Sequence, residues 1–163
     1  MTPAPIPPIL YTKRCRLERI ILHDMDMLRD IVEDFQFRLF LPELYEVVQN
    51  VEGMCQFLRS FDDYAQNGEG FLWGVWKQSY LIGFVAIMDM SYEPTIFYAM
   101  HHDYRDKGYT KEAVAEVVAY YKTISKSSLY TEVYQSNVPS LSILASCGFQ
   151  VVGTKDNKFL LKM

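Results

Sequence analysis

Arg105-Asp106-Lys107-Gly108-Tyr109-Thr110 sits where an extended run gives way to a helical one. Before it, Thr95 to Met100 has the apolar, β-branched and aromatic make-up of a strand. After it, Ala113, Val114, Val117, Val118, Tyr121 and Ile124 share one face of a helix expected from Gly108 to Ser125. A strand that enters a helix through such a turn points successive backbone N–H groups, and the positive helix end, at a bound anion. Gly108 permits unusual backbone angles and close approach of a ligand. Arg105, Lys107 and Lys111 add local positive charge. Alone, the hexapeptide reads either as a phosphate cradle or as an ordinary basic turn before a helix.

Downstream, Leu129 to Tyr134 reads as a strand, so Thr95 to Tyr134 forms a strand–helix–strand crossover with a locally parallel pair. Val138 to Cys147 reads as a short helix, with Pro139 in its first turn and Gly148 just past its end. Asn137 and Ser140 bracket its start. Asn137 suits an N-cap, and Ser140 is then a spare first-turn hydroxyl. Both can also face a ligand at the helix mouth, and the two readings are compatible. Val151 to Gly153 and Phe159 to Leu161 close the chain as short strands.

Upstream, Phe71 to Trp76 and Leu81 to Met88 make an antiparallel hairpin about the turn Lys77-Gln78-Ser79-Tyr80. Cys15 to Ile21 reads as a first strand. A helix starts near His23-Asp24-Met25-Asp26 and carries Met27, Leu28, Ile31, Val32 and Phe35. Pro42 opens a second helical stretch, periodic through Leu58 and ended by Asn67-Gly68-Glu69-Gly70. Four of the seven prolines fall in the first eight residues, so residues 1–10 are expected to be an extended lead-in.

The 163 residues suit a single domain, and a 50% apolar, 15% aromatic composition argues against disorder. A net charge of -4 gives no overall pull toward nucleic acid or an anionic membrane, and neither is expected as a partner. Cys15, Cys55 and Cys147 are too scattered for a disulfide framework or a metal motif, so no metal is expected. The start of the chain shows no signal-peptide pattern, and the run Leu81 to Met88 is far short of the roughly 20 residues a membrane span needs. These features read as a cytoplasmic protein.

In combination, Tyr104-Arg105-Asp106-Lys107-Gly108-Tyr109-Thr110-Lys111-Glu112-Ala113, then Asn137, Ser140, Gly148-Phe149 and Gly153, resemble the GNAT superfamily of N-acetyltransferases, in its RimJ/RimL-like branch. The opening Tyr11 to Leu17, the acids Asp24 and Asp26, and Trp73-Gly74-Val75-Trp76 with Leu81-Ile82-Gly83-Phe84 resemble that branch too. The resemblance covers most of the chain. It implies an α/β (α+β) fold, with a mixed, mostly antiparallel sheet of about six or seven strands flanked by about four helices. It implies acetyl-CoA as acyl donor, with its pyrophosphate on the backbone of Arg105, Asp106, Lys107, Gly108, Tyr109 and Thr110. The pantetheine arm would run beside Met100 and His101, with Asn137 and Ser140 near the arm or thiol. The second partner would be a primary amine, on a protein or peptide N-terminus or a small molecule, attacking the thioester directly in a ternary complex. Homodimers are common among proteins it is similar to.

The chain departs from the family pattern in three places. Thr110 stands where the turn usually ends in Gly or Ala. Leu144 stands where many relatives carry a Tyr that protonates the thiolate, which leaves Ser140 as the candidate acid, or else as a capping or cofactor contact. The base is unmarked: Glu93 beside Pro94 reads as a solvated turn residue, and His101 and His102 would point to opposite faces if they lay on a strand. Phe35, Phe37, Phe40 and Tyr45 are core residues or acceptor-site lining. Asp24, Asp26, Asp30, Glu33 and Asp34 are a solvated face or a lure for a cationic amine. The alternative to an active enzyme is a catalytically weak CoA-binding protein serving as a sensor or interaction module.

Overall fold

The computed structural model describes residues 7–163. Of the expected lead-in, residues 1–6 lie outside the described residues, and Leu10 already belongs to a strand. The elements run β1 (Leu10–Tyr11), β2 (Arg16–Glu18), α1 (Met25–Val32), α2 (Phe35–Phe40), α3 (Pro42–Val48), α4 (Val51–Gln66), β3 (Phe71–Lys77), β4 (Tyr80–Met88), β5 (Thr95–Met100), α5 (Tyr109–Ile124), β6 (Tyr130–Tyr134), α6 (Val138–Ser146), β7 (Gln150–Lys155) and β8 (Lys158–Lys162). One sheet of eight strands carries them, in the order β1-β2-β3-β4-β5-β6-β8-β7. It is antiparallel except where β5 meets β6.

Strand alternation sends side chains to two cores, one on each face of the sheet. From β3, Trp73 and Val75 join α5, whose Ala113, Val114, Val117, Val118 and Tyr121 are buried against them. Leu72 and Trp76 face the other way, toward Leu28 and Ile31 of α1, Phe37 of α2, and Met54, Phe57 and Phe61 of α4. Each buried Val, Leu, Ile, Met or Phe among them is worth roughly 1.5–3 kcal/mol when withdrawn from water. The alternation slips once on β4. Val75 pairs with Gly83 and Trp76 with Leu81, so Ile82 is a bulge residue, which puts Ile82 and Val85 in the same core three residues apart.

The crossover from β5 through α5 to β6 gives a parallel pair as expected, but it is joined only at its start. Thr95 and Tyr130 are in register, Tyr130 N donates to the Pro94 carbonyl at 2.8 Å, and the Thr131 hydroxyl donates to the Ile96 carbonyl at 2.8 Å. Beyond that point β6 takes its partners from β8 alone. The two strands separate, and the far half of β5 presents an open edge.

Two sequence expectations are corrected. Eight strands replace six or seven, because Leu10–Tyr11 adds an edge strand to β2. Six α-helices among the described residues replace four, because the front helices are broken. Asp34 leaves helical geometry and its carboxylate accepts from Phe37 N at 3.2 Å, which restarts the chain as α2. Asn50 does the same for α4, accepting from Gly53 N at 2.8 Å. Both are N-caps placed inside an unbroken apolar period.

Candidate cofactor and active site

The turn after β5 is built from backbone geometry. His101 caps a single 3-10 turn, His102–Tyr104, through its Nδ1, which accepts from Asp103 N at 3.0 Å. Asp106 and Gly108 then take left-handed φ values of 60° and 85°, and α5 begins. Glu112 N is the first in the helix to bond back, to the Gly108 carbonyl at 3.1 Å. Among the described residues, the N–H groups from Asp106 to Lys111 donate to no protein acceptor. This is a row of main-chain donors at a helix N-terminus, the arrangement that binds phosphates.

Side chains hold the turn from behind. Arg14 donates to the Lys107 carbonyl at 2.8 Å, pairs with the Glu112 carboxylate, and lies 4.0 Å over the Tyr109 ring. Thr12 donates to the same carboxylate at 2.9 Å. Partial burial pushes the Glu112 carboxyl up, but the hydrogen bonds from Arg14 and Thr12 outweigh it and leave the pKa below its ordinary value. Arg105 pairs with Asp34, the cap of α2, and Lys107 donates to the Asp103 carbonyl at 2.9 Å. Two of the three cations read from the motif are therefore engaged with protein, while Lys111 lines the adjoining cavity.

That cavity, of about 580 Å³, fills the gap between the parting strands. Its size is that of a small-ligand site. Arg105, Asp106, Gly108, Thr110 and Lys111 border it at the turn, and Asn137 and Ser140 from the mouth of α6. Met100 and Tyr98 come from β5. On the other face of the sheet Phe37 and Phe40 of α2 line it, together with Glu132 and Tyr134 of β6. The carbonyls of Pro94 and Ile96 face β6, so by alternation the backbone of Tyr98 and Met100 faces the opening.

Ser140 is not alone. Its hydroxyl shares a 2.5 Å hydrogen bond with the Tyr98 phenol. Burial pushes Tyr98 up to about 12, partly offset by the bond to Ser140. The Asn137 side chain accepts from Ser140 N at 3.4 Å, so it does cap α6 while also bordering the cavity. Leu144 is 0% exposed, packed in the core. Tyr98 thus brings a phenol to the cavity from a different element. The sequence reading missed Tyr98, Arg14, Glu112 and Glu132; the alternation of β5 and β6 was the available signal for Tyr98 and Glu132.

Other candidates fall outside the cavity lining. Lys107 and Tyr109 are behind the turn, with Tyr109 6% exposed under Arg14. His101 and His102 do not point to opposite faces. The strand stops at Met100, and in the turn their rings stack at 4.3 Å, with ligand atoms of His101, His102 and Asp103 within 4.8 Å of one another. His101 Nδ1 already accepts the Asp103 N–H. Glu93 is exposed on a turn, and Phe35 is 76% exposed. Asp34 is neither a solvated residue nor an amine lure, because it is bound to Arg105.

A mostly antiparallel sheet that opens between two parallel strands, beside a row of main-chain donors at a helix N-terminus, defines a split-sheet class of α/β protein. The chain belongs to the GNAT acetyltransferase family: residues 14–150 match the Acetyltransferase (GNAT) domain. No curated protein sequence matches it. Solved structures share its fold. RimL, the ribosomal L7/L12 α-N-protein acetyltransferase in complex with coenzyme A, superposes with a TM-score of 0.83 at 12% identity, over 95% of this chain and 96% of that one. Mycobacterium smegmatis RimJ in complex with CoA-disulfide gives 0.77 at 16% identity, over 96% and 85%. The microcin C7 self-immunity acetyltransferase MccE, in complex with acetyl-CoA and AMP, gives 0.76 at 14% identity, over 93% and 92%. No helix among the described residues is long and apolar enough to cross a membrane.

Proposed function

We propose that the chain, acting as one domain over residues 1–163, transfers the acetyl group of acetyl-CoA to a primary amine by direct attack in a ternary complex. The amine belongs to a protein or peptide N-terminus or to a small molecule. The observation that carries this reading is the set of N–H groups at Asp106, Gly108, Thr110 and Lys111, which find no protein acceptor among the described residues and belong to residues that border a cavity in the split sheet. Those donors suit a pyrophosphate. The free edge at Tyr98 and Met100 suits the amides of a pantetheine arm, as one more strand would. Structures of the same fold hold coenzyme A or acetyl-CoA, which supports the assignment.

In this arrangement the thioester lies near Ser140, and the amine enters from the face lined by Phe37, Phe40, Glu132 and Tyr134. The amine nitrogen bonds to the carbonyl carbon, the C–S bond breaks, and the electron pair leaves on sulfur. Ser140 donates a hydrogen bond to that sulfur. Of the two carboxylates that line the cavity, Asp106 belongs to the turn, so Glu132, 3.6 Å from Lys158 Nζ, takes the proton the amine releases. Holding two reactants in one cleft supplies a large share of the acceleration.

Calorimetric titration with acetyl-CoA, and separately with CoA, tests the cofactor site. Saturable binding in the micromolar range is expected. Gly108→Trp should abolish it, since Gly108 has φ +85° and a Cβ there would already meet Arg14 at 3.1 Å. Unchanged affinity in that variant, with an unchanged melting temperature, would remove the turn from the site. A panel of amines then separates an enzyme from a protein that binds CoA without turnover.

A further inference from the structure

The Tyr98 phenol is a buried titratable group in the cavity wall, and the reaction as written above leaves it without a part. We propose that Tyr98 is a positioning residue for Ser140: it donates to the Ser140 oxygen and so aims the serine proton into the cavity, at the departing sulfur. The proposal rests on the acetyltransferase reading.

The direction of the bond follows from chemistry. A hydroxyl has one proton and two lone pairs, and a phenol is a far stronger acid than an alkyl alcohol, so the phenol is the natural donor of the pair. Among the described residues Ser140 Oγ is the only hydrogen-bond partner of the Tyr98 oxygen, and the Ser140 N–H is directed at Asn137. With one serine lone pair occupied by Tyr98, the remaining proton turns toward the cavity that both residues line.

The phenol keeps its own proton. Burial holds it near 12, whereas a thiol ionises near 8.5, so passing the proton to a thiolate would be uphill. On cleavage the C–S electron pair rests on sulfur, the amine proton goes to Glu132 or water, and Tyr98 and Ser140 act in series as a polarised donor. That role differs from a tyrosine that surrenders its proton. It also accounts for a chain that packs Leu144 into its core and still has a phenol at the site.

The test needs no acceptor. The thiol of bound CoA is titrated by its thiolate absorbance in wild type, Tyr98→Phe, Ser140→Ala and the double variant. In wild type its pKa should lie about one unit below that of free CoA, the effect of one hydrogen bond to the charged form. Most of that shift should vanish in Tyr98→Phe and all of it in Ser140→Ala, and the double variant should match Ser140→Ala. In turnover, Tyr98→Phe should lower kcat about tenfold while the KM for acetyl-CoA stays within about twofold. A wild-type titration in Tyr98→Phe, or losses that sum in the double variant, would overturn the proposal alone. Absence of CoA binding by wild type would instead remove the acetyltransferase reading, and this proposal with it.

Discussion

Asp34 shows how one side chain can serve two structures. It caps α2 by accepting from Phe37 N at 3.2 Å, and it grips Arg105 at the start of the phosphate-type turn. Burial raises its carboxyl, but the bonds from Arg105 and Phe37 outweigh that and bring the pKa below its ordinary value of 3.8. A carboxyl lowered on folding stabilises above its unfolded pKa and loses that contribution as pH falls through the folded one. Asp34→Asn keeps a good cap but removes the charge. It should flatten the loss of stability below about pH 4 in acid-unfolding curves and weaken acetyl-CoA binding. An acid limb identical to wild type would mean that the pair contributes nothing to folding. At this scale the sequence told half of the geometry around the candidate site. Gly108, Asn137 and Ser140 were legible because their neighbours in the chain define their geometry. Asp34 and Arg105 were each legible, but not their union across 71 residues, nor that of Arg14 and Glu112 across 98. A charge on a helix face reads as solvated until its partner is known.

Gly53 carries the same lesson for elements. It lies in the first turn of α4, where Ala would normally be favoured over Gly by about 1 kcal/mol. Here an added Cβ would sit 1.6 Å from the Val47 carbonyl oxygen of α3, a backbone atom that cannot step aside. Gly53→Ala should therefore destabilise the protein, read as a lower urea midpoint; a higher midpoint would mean that α3 and α4 are freer to move apart than they look. Asn50→Ala should cost about 1 kcal/mol by removing the cap on Gly53 N. The helices themselves were visible as a 3.6-residue apolar rhythm, and so were the hairpin β3–β4 and the crossover. The breaks at Asp34 and Asn50 were not, because each restarts the chain without disturbing that rhythm. β1 was missed because a two-residue edge strand carries no periodic signal.

Across the whole molecule, the cavity exists because β5 and β6 start together and then part. No local propensity encodes that separation, and the sequence showed only the parallel pair. On one face the buried side of α5 packs against β3, β4 and β5, joined by Leu144 of α6. On the other, Phe37 of α2 packs against Phe84 of β4 at 6.3 Å, and Phe40 reaches Tyr134 of β6 at 6.5 Å. Packed helices thus border the gap on both faces of the sheet. An arm that pairs with the free edge of β5 should then act on a defined set of amides. Saturating acetyl-CoA should slow hydrogen exchange at Tyr98, Met100 and the N–H groups from Asp106 to Lys111, whose donors find no protein acceptor among the described residues. Amides of β3 and of the β7–β8 pair should be unchanged except through global stabilisation, which raises all of them together. Glu112→Gln, which weakens the hold of Arg14 and Thr12 on the start of α5, should speed exchange from Lys107 to Lys111 in the free protein and lower acetyl-CoA affinity. Protection concentrated on α3 and α4, with none at the seam, would place the ligand on the other side of the sheet and separate the cradle from its proposed use.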